Sequence, residues 1–488
     1  MSDGFSLPIA VQCRAGEPEG EHPLLLPVPA GGAVPAGYGA AAEAGGFRPG
    51  EAKAIRCWLP LPAVLSGIAA PGGPNEAREA GGRAGTCLLA APRVAIDARG
   101  LSPEMGAALA AGLVLRAWTP PGAPGPAPAL RRIELLGDEP KALAAAWERE
   151  EAVLRATFFA RDLVALPANI LTPKEFARRL EALDEFGIAV DVLGPKRLAK
   201  AGFGALLAVG QAAQEGPRLA VLRWRGRHST APVVFVGKGI VFDTGGISIK
   251  PAGGMEAMRA DMAGAAAAAG AIMALALRDS PAPAAAVIAI AENAVGGNAW
   301  RPGDVITTLS GRTVETIDTD AEGRMVLADA LHYARTAFRP EAIIDLATLT
   351  GAIVTALGHQ RAGLFGNDAP LMAALAAAGE ATGERLWPMP IGEGHRAALE
   401  SDIADIKQCG TPVRDGSAGW PQKFLPDACH AAAFLREFAG DGPWAHLDIA
   451  GVEERGAPSP LGPRGPTGFG VRLLDALVEA RFEDPHRA

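Results

Sequence analysis

Residues 233–449 alternate between strand-like and helix-like patterns, and this alternation constrains the fold more than any other feature of the chain. Short apolar runs predict strands, and longer amphipathic or alanine-rich runs predict helices. The predicted strands are 233–237, 284–290, 342–346 and 445–449, and the predicted helices are 255–277 and 324–338. Strands that alternate with helices usually form a parallel sheet covered on both faces. The sequence therefore predicts an α/β fold with a central, largely parallel sheet flanked by helices.

The N-terminal part of the chain has a different pattern. Residues 1–130 alternate short apolar runs with clusters of glycine and proline, and they include a predicted strand at 93–97 and a predicted helix at 103–115. A long helical pattern follows at 139–166. We expect a smaller N-terminal α/β domain with its connecting helix over residues 1–150, and a larger catalytic domain over residues 151–488.

Composition narrows the class of protein. The chain has 488 residues, is 49% apolar and carries a net charge of −8, and this acidity argues against a nucleic-acid surface. Its five cysteines are scattered without a CxxC pair, which is typical of a reducing compartment. The first residues lack a signal-peptide pattern, and the apolar run 263–277 is too short to span a bilayer. We expect a cytoplasmic protein without membrane or nucleic-acid partners.

A cluster of acids lies between the strand-like residues 313–317 and the helix-like residues that follow 324. Asp318, Asp320 and Glu322 alternate along this stretch. In an extended segment residues i and i+2 share a face, so Asp320 and Glu322 can point their carboxylates into one small volume. Two carboxylates that close repel unless a proton or a metal ion lies between them. A solvated acidic turn is the alternative interpretation of the same cluster.

A second polar segment follows the predicted strand 233–237. It contains Lys238, Asp243 and Lys250 in a glycine-rich loop, and ligands of open α/β sheets bind beyond the carboxyl ends of such strands. Asp261 stands in a very apolar run, where a buried carboxylate needs a partner; an exposed acid favoured by the helix dipole is the alternative. Asp243 and Asp261, together with Asp320 and Glu322, would bring four negative charges into one site. Two divalent cations would balance these charges.

These segments resemble the signature motifs of the leucine aminopeptidase family, also called the cytosol aminopeptidase family or peptidase family M17. The matching stretches are Gly-Lys-Gly-Ile-Val-Phe-Asp-Thr-Gly-Gly-Ile-Ser-Ile-Lys-Pro at 237–251, Met-Arg-Ala-Asp-Met at 258–262 and Thr-Asp-Ala-Glu-Gly-Arg at 319–324, with further matches at 292–293, 301–304, 347–351 and 446–451. The resemblance covers residues 160–475 and keeps the order and spacing of the motifs.

The resemblance implies a metal-dependent aminopeptidase with two divalent ions per chain, Zn²⁺ or Mn²⁺, or Mg²⁺. The implied ligands are Lys238, Asp243, Asp261, Asp320 and Glu322, with Asp243 and Glu322 bridging both ions. A hydroxide shared by the ions would attack the first peptide bond. Lys250 would stabilise the oxyanion, and Arg324 would hold a bicarbonate ion that acts as general base. Without the motifs, Lys250 and Arg324 would both be interpreted as ordinary surface residues.

The resemblance also implies the substrate and the assembly. The substrate-binding residues would be Lys250, Met258, Thr348, Leu349, Gly351 and Ala450. We expect short peptides as substrates, leucine and other apolar residues at their N-termini, and a homohexamer. Three positions depart from the family pattern: Asp318 replaces the usual Asn, Met325 replaces the usual Leu, and Glu453 stands where the family often has an apolar residue. We expect Glu453 to turn to solvent; at the pocket rim it would instead favour N-terminal Arg or Lys.

Other functions fit the sequence less well. The chain has no H-E-x-x-H motif of a zincin and no G-x-S-x-G motif of a serine hydrolase. A dinuclear metallohydrolase of another amide or of a phosphate substrate remains as one alternative. A regulatory or DNA-binding homologue is the other, although the acidic net charge and the complete ligand set count against it.

Overall fold

The computed structural model describes residues 5, 7–20, 22–58, 62–70, 72–410 and 427–484. The chain divides into two compact units, of which the first comprises Met1–Phe158 and Arg455–Gly465, and the second Phe159–Glu454 and Pro466–Ala488. The division falls inside the long helix that the sequence predicts, and a short late segment returns to the first unit. The domain limits 1–150 and 151–488 stay a prediction.

The first unit is built around a six-stranded sheet. Its elements are β1 (Ala10–Arg14), β2 (Leu24–Pro29), α1 (Gly39–Ala44), β3 (Ala54–Cys57), β4 (Ala63–Ile68), α2 (Pro74–Leu88), β5 (Arg93–Asp97), α3 (Pro103–Ala117) and β6 (Arg132–Leu136), followed by α4 (Pro140–Ala165). The strand order is β1-β6-β5-β2-β4-β3, and only β3 is antiparallel to its neighbour among these pairs. The predicted strand 93–97 and helix 103–115 are confirmed as β5 and α3.

Helices α2 and α3 pack with their backbones in contact. A Cβ on Gly81 of α2 would lie 1.8 Å from the carbonyl oxygen of Leu109 in α3. A Cβ on Gly112 of α3 would lie 1.8 Å from the carbonyl oxygen of Arg78. Because real Cβ atoms never approach a backbone oxygen so closely, glycine is required at both positions for the helices to meet at this distance.

The second unit contains most of the remaining elements. They are α5 (Pro173–Glu181), β7 (Ala189–Leu193), α6 (Pro195–Ala201), α7 (Gly204–Gly210), β8 (Arg218–Trp224), β9 (Val233–Asp243), α8 (Ala263–Leu277), β10 (Ala284–Asn293), β11 (Val305–Thr307), β12 (Thr313–Glu315), α9 (Glu322–Phe338), β13 (Ala342–Ala347), α10 (Gly351–Leu357), β14 (Ala362–Gly366), α11 (Ala369–Thr382), β15 (Leu386–Pro388), α12 (Glu393–Ala397), β16 (Ile406–Lys407), α13 (Asp427–Ala439), β17 (Trp444–Asp448) and α14 (Val471–Arg481). The short strands β18 (Glu454–Arg455) and β19 (Gly465–Pro466) each have one residue in either unit. The described residues of this unit also include the 3₁₀ segments Ala182–Phe186 and Met255–Ala260.

The principal sheet of this unit has eight strands in the order β15-β14-β17-β13-β9-β10-β8-β7. The four central strands, β17, β13, β9 and β10, are parallel. Antiparallel pairs lie toward the edges, where β14 pairs with β17, β8 with β10 and β7 with β8. The predicted α/β fold with a central, largely parallel sheet is therefore confirmed.

Helices α8 and α9 cover opposite faces of β9. A Cβ on Gly237 would lie 2.5 Å from Ala265 in α8, whereas a Cβ on Gly323 in α9 would lie 2.8 Å from the side chain of Lys238. Successive residues of a strand point to opposite faces, so Gly237 faces α8 and Lys238 faces α9. The prediction that Lys238 and Asp243 lie in a loop is wrong, because β9 continues to Asp243. Lys238 lies in the middle of β9 and points toward the first turn of α9.

The helix predicted at 255–277 is wrong in its first part. Met255–Ala260 forms a 3₁₀ segment, Asp261 and Met262 form a turn, and the α-helix begins only at Ala263. Asp261 therefore lies in the turn before α8 and not in the second turn of a helix. The described residues contain one helical stretch long and apolar enough to cross a membrane, Met255–Leu277, and 89% of its most apolar part is buried inside the protein.

Candidate metal centre

Three carboxylates meet beyond the carboxyl end of β9. Asp243 is the last residue of β9, Asp320 lies in the loop between β12 and α9, and Glu322 is the first residue of α9. Each of the three offers an oxygen within 4.8 Å of the others. The positive end of the α9 dipole favours a carboxylate at the position of Glu322. The structure thus brings Asp320 and Glu322, from the predicted strand–helix junction, together with Asp243 from the glycine-rich segment.

Lys238 lies beside this cluster and is buried. Its Nζ is 2.7 Å from Glu322 Oε1 and 2.8 Å from Asp261 Oδ1, and it donates a hydrogen bond of 2.8 Å to the carbonyl of Thr348. Burial alone would lower the pKa of Lys238, but the surrounding carboxylates, led by Asp261 and Glu322, raise it above its ordinary value. Lys238 is therefore an ammonium group when the site holds no metal.

Lys250 balances the other side of the cluster. Its Nζ is 2.7 Å from Asp243 Oδ2 and also contacts Asp320 Oδ1. Burial would lower the pKa of Lys250, but Asp243 and Glu322 raise it above its ordinary value. Its side chain is only 20% exposed. The alternative that Lys250 is an ordinary surface cation is therefore excluded.

The acids themselves are hard to ionise in this setting. Burial raises the pKa of Asp320 to about 7, with repulsion from Asp243 adding to the effect. Burial also raises the pKa of Glu322, again together with Asp243, and that of Asp261. Carboxylates crowded into a buried volume resist ionisation unless positive charge accompanies them, so the cluster favours cations over solvent.

The donor set fits divalent metal ions. Asp261 Oδ2 and Glu322 Oε2 are buried and have no hydrogen-bond partner among the residues that the structure describes. Burying an unpaired carboxylate oxygen costs free energy unless a cation or a proton interacts with it. Carboxylate oxygens with one amine nitrogen suit Mn²⁺, Mg²⁺ and Zn²⁺. When all four acids are ionised, the two lysines balance two of their four negative charges. Bound metal ions would balance the remaining negative charge.

Asn293 and Thr319 join the end of β9 and the loop after it to residues 317–321, which we call the acid loop. Asn293 Nδ2 donates to Asp243 Oδ1 at 2.7 Å and to the carbonyl of Thr319 at 2.9 Å. Thr319 Oγ1 donates to the carbonyl of Gly245 at 2.7 Å. Gly246 has a φ of +64°, and a Cβ there would lie 2.9 Å from Thr319 Oγ1. The loop after β9 can therefore approach the acid loop only with glycine at this position.

Asp318, where the family usually has Asn, closes the turn of the acid loop. Its Oδ1 accepts a hydrogen bond of 2.9 Å from the backbone N–H of Asp320. This contact uses an oxygen that an Asn side chain also possesses. Compared with the usual Asn, Asp318 therefore adds a carboxyl group to the turn that carries Asp320.

Arg324 is buried, so the alternative of a surface cation is wrong for it as well. Its Nη1 donates to the carbonyl of Gln408 at 3.0 Å, and its Nη2 is 2.8 Å from Asp427 Oδ1. Nε is buried and has no hydrogen-bond partner in the described part of the chain. The guanidinium group is thus held by protein groups at two nitrogens, an arrangement that the sequence did not predict.

The predicted substrate-binding residues fall into two groups. Met258 lies in the 3₁₀ segment just before Asp261, and Thr348 Oγ1 donates to Asp261 Oδ1 at 2.7 Å. The other group surrounds Asp448, which the sequence did not identify as an organising residue. Asp448 Oδ1 accepts hydrogen bonds from the backbone of Leu349 at 3.1 Å and of Ala450 at 3.3 Å.

Asp448 also fixes the start of α10, where the predicted residue Gly351 lies. Asp448 Oδ2 accepts a hydrogen bond of 2.7 Å from Thr350 Oγ1, and Thr350 Oγ1 in turn accepts one from the backbone of Ile353 at 3.2 Å. Thr350 is therefore the N-cap of α10, and Gly351 is the first residue of that helix. A single buried carboxylate orders the loops that carry Leu349, Gly351 and Ala450.

The expectation that Glu453 turns to solvent is wrong. Its side chain is mostly buried, and its Oε2 has no hydrogen-bond partner among the described residues. Burial raises the pKa of the Glu453 carboxyl to about 7. The backbone carbonyl of Glu453 accepts a hydrogen bond of 2.9 Å from the N–H of Thr467, so neighbouring chain holds the residue in place.

Comparison with known proteins agrees with the motifs. The catalytic-domain profile of the cytosol aminopeptidase family matches residues 158–475. A probable cytosol aminopeptidase from a Chelativorans species is 48% identical over 346 residues, which are 71% of this chain and 68% of that protein. One from Brucella ovis is 44% identical over 437 residues, which are 86% of this chain and 85% of that protein.

A solved structure is similar over nearly the whole chain. The bottromycin maturation enzyme BotP in complex with Mn superposes with a TM-score of 0.83 at 33% sequence identity, covering 94% of this chain and 99% of BotP. The profile and the relatives place the chain in one family, and the structural neighbour has a similar fold. The chain belongs to the cytosol aminopeptidase family and is a metal-dependent aminopeptidase of the leucyl aminopeptidase type.

Proposed function

We propose that the acid cluster holds two divalent metal ions and releases N-terminal amino acids from short peptides. The ligands would be Lys238, Asp243, Asp261, Asp320 and Glu322. The observation that carries this proposal is the convergence of four carboxylates on two lysines, with buried oxygens of Asp261 and Glu322 left without partners in the described structure. When bound, the metal ions supply an activated water molecule and polarise the scissile carbonyl group.

Lys238 must change its protonation state in this scheme. In the metal-free site it is an ammonium group surrounded by the side chains of Asp261 and Glu322 and by the carbonyl of Thr348. A lysine can ligate a metal only as the neutral amine, so metal binding must displace its proton. Manganese is the first metal to test, because the structural neighbour BotP was solved in complex with Mn.

Lys250 is proposed as the group that stabilises the oxyanion. It is protonated and lies at the mouth of the cluster, close to Asp243 and Asp320 but partly open to solvent. A preorganised cation at that position can meet the negative charge that develops on the substrate carbonyl. For Arg324 we propose contact with a bicarbonate general base, through the Nε that protein groups leave free in the described structure.

The substrate would lie between the cluster and the loops that Asp448 organises. Met258 and Thr348 adjoin Asp261, while Leu349, Gly351 and Ala450 lie on segments ordered by Asp448. These residues are mostly apolar or small, which supports leucine and other apolar residues at the N-terminus of the peptide. We further propose a homohexamer and a cytoplasmic location, as the family resemblance implies.

Metal titration with activity as the readout tests the proposal. Chelator-treated protein should lose hydrolysis of leucine p-nitroanilide and regain it with Mn²⁺ or Zn²⁺, and elemental analysis of the restored protein should give two ions per chain. One ion per chain in fully active protein would contradict the dinuclear scheme. Hydrolysis of a phosphate ester but not of leucine p-nitroanilide would favour the alternative metallohydrolase.

A further inference from the structure

Gln408 lies immediately after β16, where that short strand reaches the acid loop. β16 pairs in parallel with β12, which places Lys407 beside Glu315, and the backbone N–H of Gln408 donates to the carbonyl of Glu315 at 3.1 Å. The Gln408 side chain is fully buried. The strand pairing therefore brings a buried amide side chain to residues 317–321.

The side chain of Gln408 binds the acid loop on both sides of its turn. Oε1 accepts hydrogen bonds from the backbone N–H groups of Ile317 at 2.7 Å and Asp318 at 3.0 Å. Nε2 donates to the carbonyl of Ala321 at 3.1 Å. Two donors at one atom and a carbonyl at the other permit only one orientation of the amide. Gln408 thus encloses the turn that carries Asp320.

The main chain of Gln408 also holds the start of α9. Its carbonyl accepts the hydrogen bond from Arg324 Nη1 at 3.0 Å, and Arg324 follows Glu322 by two residues in the first turn of that helix. We infer that Gln408 is a positioning residue of the metal centre, which fixes the Asp320 carboxylate relative to Glu322. This inference rests on the proposed role of these two acids as metal ligands.

Two substitutions separate the hydrogen bonds from the volume of the side chain. Gln408→Leu keeps a similar size but leaves the N–H groups of Ile317 and Asp318 without a partner. Gln408→Glu keeps an acceptor for both but places a second acceptor against the carbonyl of Ala321. Losing a residue that orients metal ligands typically lowers metal affinity roughly 10- to 100-fold. We expect a loss of that size in Gln408→Leu and a smaller one in Gln408→Glu.

Asp329 offers a matched control on the same helix. It is fully buried in α9 and accepts hydrogen bonds from the backbone N–H groups of Leu206 at 3.0 Å and Leu309 at 2.7 Å. Both partners lie outside the acid loop. Asp329→Asn should therefore lower the thermal unfolding temperature without weakening Mn²⁺ binding, which separates general destabilisation from displacement of the metal ligands.

The experiment compares Mn²⁺ affinity, by competition with a fluorescent chelator, and amide hydrogen exchange of the metal-free proteins. Gln408→Leu should bind Mn²⁺ more weakly and exchange the amides of Ile317 and Asp318 faster, while Asp329→Asn does neither. If Gln408→Leu does not fold, Gln408→Met carries the same comparison, because it keeps the length of the side chain and offers the N–H groups of Ile317 and Asp318 only a weak thioether acceptor. Exchange of both amides at the wild-type rate, or wild-type Mn²⁺ affinity, would overturn the role of Gln408 alone. Wild-type protein that binds no Mn²⁺ would instead refute the metal centre.

Discussion

Replacing Glu453 with glutamine should stabilise the protein at neutral and alkaline pH. Burial raises the pKa of this carboxyl from 4.5 to about 7, and a tenfold change in a proton equilibrium is worth about 1.4 kcal/mol. Ionisation of this carboxyl therefore lowers the free energy of unfolding by up to about 3 kcal/mol. Contact of the side chain with solvent reduces this cost. Glutamine has nearly the same shape but cannot ionise.

The sign of the effect follows from the direction of the shift. Because the folded-state pKa of Glu453 is raised, its contribution to stability is fully present below pH 4.5 and is lost as the pH rises through about 7. The free energy of unfolding of Glu453→Gln should therefore exceed that of wild type by an amount that grows across this interval and is constant above it.

Urea unfolding followed by tryptophan fluorescence, at a series of pH values and a fixed Mn²⁺ concentration, measures this difference. Glu400→Gln serves as the control, because Glu400 is exposed and its replacement removes the same charge without relieving burial. Its difference from wild type should not change with pH. A difference for Glu453→Gln that is equally independent of pH would show that the Glu453 carboxylate is solvated or paired, and would refute the reasoning.

Three further outcomes are expected. Asp320→Asn and Glu322→Gln should reduce bound metal below two ions per chain and hydrolysis of leucine p-nitroanilide to background; elemental analysis that finds full metal content would contradict the ligand assignment. Lys250→Ala should lower kcat by roughly 10²–10³-fold, the usual effect of losing one oxyanion donor, with metal content unchanged; a wild-type kcat would leave Lys250 only a structural role. If Glu453 faces the substrate, Glu453→Met should lower the ratio of kcat/KM for arginine over leucine substrates several-fold, corresponding to about 1 kcal/mol for a partly screened charge pair, and an unchanged ratio would place it outside the pocket.

The acids of the proposed metal centre could be singled out because each is conspicuous in the sequence. Glu322 stands at the junction of a strand pattern and a helix pattern, Asp243 stands in the glycine-rich segment after an apolar strand pattern, and Asp261 interrupts an alanine-rich run. Charged residues in such surroundings need partners if they are buried. The sequence therefore indicated which side chains meet, although it placed Asp261 within a helix when it lies in the turn before α8.

The residues that hold these acids in place could not be predicted in this way. Gln408 bonds Asp318 across 90 positions of the chain, and Asp448 bonds Leu349 across 99. A neutral glutamine beside a short strand has no distinctive local pattern, since its role depends on the pairing of β16 with β12. Sequence periodicity reports the face that a residue occupies, whereas these hydrogen bonds depend on register between distant segments.

Because Lys238 and Lys250 pair with the four acids, we expect the second unit to fold without metal ions. Lys238 engages Asp261 and Glu322, and Lys250 engages Asp243 and Asp320, so each of the four acids has a cationic partner in the metal-free site. Small structural zinc sites behave differently, because there metal binding supplies the folding free energy. Chelator-treated protein should therefore keep its helical circular dichroism and a cooperative thermal transition, at a lower temperature than the metal-bound protein. Lys238→Met should lose much of this metal-independent stability, since it leaves the buried carboxylates of Asp261 and Glu322 without their counter-charge. Loss of helical signal in wild type on chelation would mean that the lysines do not replace the metal ions in folding.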